Sequence, residues 1–217
     1  MPIIGTLANS SSRGFGGLRT FITETGAYNS IQTANVGAGG QAYIEFTNIP
    51  STYKHLQIRY VAQDNRTTYG HDQIRMQVGS SNTLDTNSTA YVYHYARGNG
   101  ATTDGQNFPS SSGDNASIQL NTASGTNVSP GSWGAGIIDI TDYSNTSKIK
   151  VIKYFSGVDL NGDGSGRGAV PGRIVFGTGM WNGTNGLNAI NIIKLFPENG
   201  SLFNQHSRFA LYGIKDN

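Results

Sequence analysis

The sequence contains no cysteine, little charge and no long apolar run. Without cysteine neither a disulfide framework nor a thiolate metal site can form, so stability must come from packing, hydrogen bonding or association. Charged residues make up only 13% of the chain, against roughly a quarter in ordinary soluble proteins. No stretch approaches the roughly 20 apolar residues of a membrane span. The N-terminus also lacks the features of a secretory signal peptide, and we expect no membrane partner.

The formal net charge of +2 comes from dispersed Lys and Arg residues. Since no basic block or helical basic stripe is available to follow phosphates, nucleic acid is not an expected partner. Gly, Ser, Thr and Asn take the place of charged residues, and they disfavour helices and suit turns. Hydrophobic residues still make up 36% of the sequence, which is enough for one core in a chain of this length.

Apolar and polar residues alternate with period two from residue 41 onward. Ile44 and Phe46 share one face of a first strand, and Leu56 and Ile58 share one face of a second strand. The polar, Gly-rich stretches 98–115, 121–131 and 161–172 are predicted to be exposed loops. Similar strand patterns recur at residues 74–78, 91–96, 118–120, 137–140, 149–155, 173–176, 190–196 and 209–214.

About ten strands with no sustained helical spacing predict an all-β fold. Doubling the sheet protects its edges, so we expect an antiparallel β-sandwich of jelly-roll type over residues 41–217. Catalytic constellations are scarce, because the chain has only four histidines and none lies in a recognisable catalytic or zinc motif. The sequence therefore predicts a non-enzymatic module.

Residues 1–40 lack the alternation and are rich in Gly, Ser, Thr and Asn. We interpret them as an extended N-terminal arm for anchoring and assembly. The arm is expected to lie on a neighbouring subunit or partner, because its scattered apolar residues cannot form a core of their own. Packing against its own domain is the alternative. The apolar residues of this assembly arm are Ile3, Ile4, Leu7, Phe15, Leu18, Phe21 and Ile22.

One short motif suggests a cation. Asp159, Asn161 and Asp163 alternate before Gly164, as carboxylate and amide oxygens do at the start of a calcium loop. The twelfth position of that loop is Val170 instead of the bidentate Glu. A plain turn is the alternative, because Asn and Asp tolerate unusual backbone angles. Calcium is the one cofactor that the sequence leaves open, and no other is expected.

Aromatic residues form a second candidate site. Tyr91, Tyr93 and Tyr95 share one face of a predicted strand, and Trp133 and Trp181 lie near Gly-rich turns. Such rings can stack on sugars. They can equally fill the core or meet a neighbouring subunit. The aromatic set is thus a candidate for glycan binding or for an interface.

Two stretches carry a family resemblance: residues 46–59 read FTNIPSTYKHLQIR, and residues 207–215 read SRFALYGIK. Both resemble segments of tailed-bacteriophage virion proteins, those of cyanophages in particular. The resemblance spans residues 46–215 and leaves out the arm. It implies a β-sandwich of a group that includes capsid decoration, or cement, proteins and tail or fibre components. No active-site residue is carried over.

The resemblance implies a viral structural protein that is part of the virion, on the capsid surface or alternatively in the tail. We expect a capsid decoration protein that binds and stabilises the outer capsid through its N-terminal arm and its β-sandwich. Its expected partners are the major capsid protein or other virion proteins, and a homo-oligomer is expected, with a trimer favoured. The alternatives are a tail or fibre receptor-binding protein that contacts host surface glycans and a cellular carbohydrate-binding module.

Overall fold

The computed structural model describes residues 27–99, 102–108, 116–120, 122–126, 131–160, 172–183 and 185–215. All regular secondary structure in these ranges is β-strand. Helices that are long and apolar enough to cross a membrane do not occur in the ranges described. The strands are β1 (Tyr28–Asn35), β2 (Ile44–Phe46), β3 (His55–Ala62), β4 (His71–Asp72), β5 (Ile74–Ser80), β6 (Thr83–Leu84), β7 (Tyr91–Gly98), β8 (Thr103–Phe108), β9 (Ile118–Gln119), β10 (Ala123–Ser124), β11 (Gly134–Thr141), β12 (Lys150–Val158), β13 (Arg173–Trp181), β14 (Ile192–Pro197) and β15 (Arg208–Ile214).

The strands form two main sheets, in which every pairing is antiparallel. The large sheet has the order β1-β15-β3-β11-β12-β13-β7-β8. The small sheet has the order β2-β14-β5-β6, and β9 also pairs with β5. A separate two-stranded pair joins β4 to β10. The chain passes repeatedly between the sheets in its first half, and the predicted all-β antiparallel sandwich is confirmed.

The core lies between the two sheets, because both direct their apolar residues towards the same layer. In β3, Ile58, Tyr60 and Ala62 are buried, whereas Arg59 and Val61 between them are exposed. The small sheet contributes buried side chains such as Leu195 to the same cluster. This alternation follows from the strand geometry, which turns successive side chains to opposite faces.

All ten predicted strands are present. Five further strands, β1, β4, β6, β8 and β10, were not predicted. Two of them lie in stretches that the sequence marks as loops, since β8 falls within 98–115 and β10 within 121–131. Polar composition explains the error for β8, which reads TDGQNF; its first five residues are exposed and only Phe108 packs against the core. β8 is held by its pairing with β7 at the edge of the large sheet.

The predicted arm, residues 1–40, is too long at its C-terminal end, where the structure describes a strand of the sandwich. β1 is the other edge strand of the large sheet and pairs with β15 from Tyr28↔Ile214 to Asn35↔Arg208. Val36, which follows β1, is 4% exposed. Residues 28–36 therefore belong to the sandwich and not to an arm. The proposed arm residues Ile3, Ile4, Leu7, Phe15, Leu18, Phe21 and Ile22 lie outside the described residues.

The two stretches that carry the phage resemblance fold next to each other. β3 lies in and just beyond the first stretch, and β15 makes up most of the second. They pair directly, from Arg208↔Val61 to Ile214↔His55. The inward-facing residues of this pair, such as Ile58 and Leu211, are fully buried. The resemblance thus falls on two neighbouring strands, the second and third from the β1 edge of the large sheet.

Candidate functional site: the outer face of the large sheet

The large sheet has an outer face, formed by the side chains that point away from the small sheet. Its strand register places Arg59, Ile137, Phe155 and Phe176 in one row across β3, β11, β12 and β13. Three of these four side chains are apolar and strongly exposed: Ile137 is 41% exposed, Phe155 54% and Phe176 62%.

A neighbouring row extends this apolar surface. It aligns Val61, Ala135, Gly157 and Ile174 on the same four strands. Val61 is 45% exposed and Ile174 59%. Side chains directly opposite on paired strands have Cβ atoms roughly 4.5–5.5 Å apart, so the two rows make one continuous surface. We call Val61, Ile137, Phe155, Ile174 and Phe176 the apolar patch.

An apolar patch of this kind marks an interaction site more often than a single exposed side chain does. Scattered apolar residues are normal on protein surfaces. Contiguous patches beyond a few hundred Å² are uncommon on monomers, and they mark contacts with proteins, membranes or ligands. Because these side chains lie on the central strands of a paired sheet, the surface is rigid.

Cations border the apolar patch. Arg59 lies opposite Ile137 in the register, Arg208 lies opposite Val61, and Lys153 precedes Phe155 by two positions on the same face. All three cationic residues are exposed.

The Arg59 side chain is held in place. Its guanidinium carbon lies 5.4 Å from the ring centroid of Tyr28 and 5.3 Å from that of Tyr212. Arg59 Nε donates to Gln57 Oε1 at 2.7 Å, and Gln57 Nε2 donates to Asp139 Oδ1 at 2.8 Å. A guanidinium fixed in this way loses little conformational entropy when a partner carboxylate binds it.

A shallow groove of about 600 Å³ opens at one end of the patch. Phe155 and Ile174 line its apolar wall, and Asp159 lies at its border. Gly98 and Gly157 also line the groove, and their lack of side chains helps to leave the space open. The groove joins the patch to the position where the predicted calcium motif begins.

No protein-family model matches the chain, and no curated protein matches it. Among solved structures, one match is a fructofuranosidase from Schwanniomyces occidentalis complexed with fructose. The TM-score is 0.36 at 10% sequence identity, and the match covers 88% of this chain and 35% of that chain. The chain thus spans about a third of that protein, and a likeness this distant carries no argument about this chain.

The structure corrects the predicted aromatic site. Tyr91, Tyr93 and Trp181 are at most 1% exposed, and Tyr95 is 6% exposed. These rings face the small sheet and belong to the core. Tyr91 is fixed there by its hydroxyl, which accepts from Val78 N of β5 and can donate its one proton to Val78 O or to Asp85 O in the loop after β6. Trp133, in the loop before β11, is half-buried. The four core rings cannot stack on a sugar.

The predicted calcium motif is only partly described. Asp159 directly follows β12 and is exposed, whereas Asn161 and Asp163 lie outside the described residues. Calcium binding there stays a prediction. Elsewhere in the ranges that the structure covers, no group of three or more His, Asp or Glu side chains could hold a metal ion.

A buried polar cluster lies between β4 and the loop after β14. Asp72 is 0% exposed and accepts hydrogen bonds from the backbone nitrogens of Asn199 and Gly200 at 2.9 and 2.8 Å. Asn199 Nδ2 donates at 2.8 Å and Arg66 Nη1 at 3.1 Å. Burial alone would raise the pKa of Asp72, but these hydrogen bonds and one from Asp64 lower it. The carboxylate is fully engaged in joining loops.

The neighbouring Asp64 has fewer hydrogen bonds than Asp72. It is 0% exposed, one oxygen accepts from Arg66 N at 3.0 Å, and Oδ2 is buried without a protein donor. Burial and the Asp72 carboxylate raise the pKa of Asp64 to about 8. Burial and the charges of Arg173 and Arg66 lower the pKa of nearby His71 to about 4. The cluster is buried, and its hydrogen bonds join β4 to the surrounding loops.

The apolar patch was not predicted from the sequence, because period-two alternation assumes that each strand has only one apolar face. In β12 the buried residues include Ile152 and Tyr154, yet Phe155 is also large and apolar. In β13 Val175 is buried between exposed Ile174 and Phe176. Large apolar residues on both faces of a strand indicate that both faces are covered. That signal could have identified the outer face from the sequence.

Proposed function

We propose that this chain is a structural protein of a tailed-phage virion, most specifically a capsid decoration protein that attaches to the outer shell. The observation that carries the proposal is the rigid apolar patch on the outer face, which fits a protein contact. The resemblance of residues 46–59 and 207–215 to virion proteins supports the class.

The patch suits a protein surface better than a glycan. Sugar sites combine an aromatic ring with several convergent polar groups that orient the hydroxyls. Directly across the strands from Phe155 and Phe176 the register places Ile137 and Ala96, neither of which offers a polar side chain. The polar neighbours on the same face, Lys153 and Thr178, lie two residues along β12 and β13. Interface centres have the opposite composition, since they are rich in aromatic and aliphatic groups and bordered by polar ones.

Attachment through an N-terminal segment remains part of the proposal, now restricted to residues 1–26. The tail or fibre alternative would use the same sandwich at a different place on the particle. Its aromatic basis is weaker, because Tyr91, Tyr93, Tyr95 and Trp181 are buried.

Cryo-electron microscopy of the phage particle that encodes this chain tests the proposal. Density for the sandwich on the capsid surface is expected. Density on the tail alone would favour the receptor-binding alternative, and absence from the particle would overturn both. Particles made with a chain that lacks residues 1–26 show whether that segment contributes to attachment.

A further inference from the structure

We infer that the outer face docks on a protein surface with an apolar centre and carboxylates around it. The identification of that surface as the virion shell rests on the proposed function. The chemistry of the partner is argued from the outer face alone.

Positive charge predominates on this face. At the outward positions of the described strands of the large sheet, the cations are the three that border the patch, Arg59, Lys153 and Arg208. Asp139 is the one carboxylate at these positions, and Gln57 and Lys153 both neighbour it. The other titratable groups there are His55, His94, Tyr28 and Tyr212. Beside the patch, Asp159 and Arg173 line the groove, and Asp104 pairs with Arg97 next to Ile174 and Phe176.

Each cation is placed to meet a carboxylate that approaches with an apolar group. Arg59 faces Ile137, Arg208 faces Val61, and Lys153 lies on the same side of β12 as Phe155. A partner that covers the patch must therefore bring its own surface within a few Å of all three positive charges. Complementary charge at the border of an apolar contact raises the association rate and excludes partners of the same sign.

A second copy of this chain is a poor occupant for that reason. Packing two outer faces together would bring two sets of Arg59, Lys153 and Arg208 into one interface with only two copies of Asp139. Residues 1–26 of the chain itself also fail to complement the face, because they contain Arg13 and Arg19 but only one acidic residue, Glu24.

Single-stranded nucleic acid is disfavoured by the aliphatic residues. Stacking platforms present successive aromatic rings along a basic groove. Here Val61, Ile137 and Ile174 make up most of the patch, and they offer no ring to a base. Only Phe155 and Phe176 do so. An apolar protein side chain packs on all five residues equally well.

The chemistry can be tested with the full chain and two synthetic peptides. In the first peptide Asp alternates with Leu and Phe, and in the second Lys replaces each Asp. Fluorescence anisotropy should show binding of the acidic peptide at least about tenfold tighter than that of the basic one, a difference of about 1.4 kcal/mol. Equal affinity for the two peptides, or no binding of the acidic one, overturns the inference.

Variants locate the contact. The double variant Phe155→Ser, Phe176→Ser should weaken binding of the acidic peptide about tenfold or more. Arg59→Gln should weaken it less and reduce its salt dependence. The matched control is Tyr43→Ser, because Tyr43 is also an exposed ring, at 44%, but lies beside the small sheet. Losses of the same size in control and double variant would contradict the assignment of the face.

Three other outcomes would each replace the inference. Dimerisation that the double variant abolishes would assign the face to a second copy. Tight binding of an oligothymidine that depends on Phe155 would assign it to nucleic acid. A chain without residues 1–26 that binds the peptide far more tightly than the full chain would show that this segment covers the face.

Sedimentation with purified shells that lack this chain separates the two proposals. If the full chain binds shells and the double variant does not, both stand. If the double variant binds shells as well as the full chain does, the inferred face is wrong although the proposed function holds. If the full chain binds the acidic peptide but no shells, the proposed function fails alone.

Discussion

At the scale of single residues, polar groups inside the sandwich fix its loops. Lys150 is 0% exposed, and its Nζ donates to the backbone oxygens of Asn145, Lys148 and Leu187. Burial lowers the pKa of this ammonium. The side chain thereby joins the loop before β12 to the loop after β13. The position looks unremarkable in the sequence, where Lys150 is the second residue of the predicted strand 149–155.

Lys150→Met should lower the free energy of unfolding by about 3 kcal/mol or more. The thioether keeps much of the apolar packing but leaves three carbonyl oxygens without their donor, and each orphaned group costs roughly 1–3 kcal/mol when buried. Chemical denaturation measures the loss. Lys148→Met is the control, because Lys148 has 61% side-chain exposure and pairs with Asp142 at the surface. The two variants should differ clearly, and equal effects would contradict the proposed role of Lys150.

Asp64 and His71 should give stability a distinctive pH profile. The pKa of Asp64 is raised from 3.8 to about 8, so its contribution to stability falls as pH rises between these values. The pKa of His71 is lowered from 6.5 to about 4, so its contribution rises between pH 4 and 6.5. The two should nearly cancel up to pH 6.5. Between pH 6.5 and 8 the titration of Asp64 alone should lower the free energy of unfolding by about 2 kcal/mol.

Asp64→Asn should remove that loss. The variant keeps the shape of the side chain and cannot ionise, so its stability should rise from pH 4 to 6.5 and then stay level to pH 8. Thermal unfolding at a series of pH values measures this. Asp104→Asn is the control. The ion pair with Arg97 lowers the pKa of surface Asp104, so this residue changes the stability only below about pH 4. An unchanged decline above pH 6.5 in Asp64→Asn would show that another group titrates.

At the scale of elements, the two faces of one strand have different roles: one packs in the core and the other forms part of the outer surface. In β12 Ile152 is fully buried, whereas Phe155 on the opposite face is 54% exposed. The same sequence pattern therefore supports the core on one side and presents the patch on the other. Glycines allow the core side to close: a Cβ at Gly177 of β13 would lie 2.2 Å from the Tyr154 ring.

The double variant Phe155→Ser, Phe176→Ser should therefore lower the free energy of unfolding by only about 1 kcal/mol. The Phe155 and Phe176 side chains are already more than half exposed, so the lost stability comes mainly from the pairing of the two rings across β12 and β13. Ile152→Ala should cost about 3 kcal/mol, because it leaves a cavity between the sheets. Denaturant unfolding compares them. A larger loss in the outer-face variant than in Ile152→Ala would mean that the outer face is part of the folding core.

At the scale of the whole molecule, the boundaries of the sandwich depend on its edge strands. The edge strands of the large sheet are β1 on one side and β8 on the other, and β1 pairs with β15. Ile31 and Ala34 of β1 pack against the core, and Val36 is buried beyond it. The folded unit thus includes residues that a composition boundary at residue 40 would remove.

Two truncations should behave differently. Removal of residues 1–26 should leave the free energy of unfolding within about 0.5 kcal/mol, because all pairing of β1 lies in residues 28–35. Removal of residues 1–40 should cost about 3 kcal/mol or more, through the lost burial of Val36, Ile31 and Ala34. Circular dichroism melts of the two proteins make the comparison. Equal melting temperatures would show that β1 contributes nothing.

The fold class and ten of the strands could be predicted from the sequence, because the alternation in runs such as 55–62 is local and needs only the geometry of one strand. β1 and β8 were not predicted because these edge strands lack that alternation and are defined by their pairing, β1 with the distant β15 and β8 with the neighbouring β7. The candidate site was not predicted because alternation separates the two sides of a strand but does not say which side another sheet covers. The packing of the two sheets turns Tyr91, Tyr93 and Tyr95 towards the small sheet and leaves Phe155 and Phe176 side by side on the outer face.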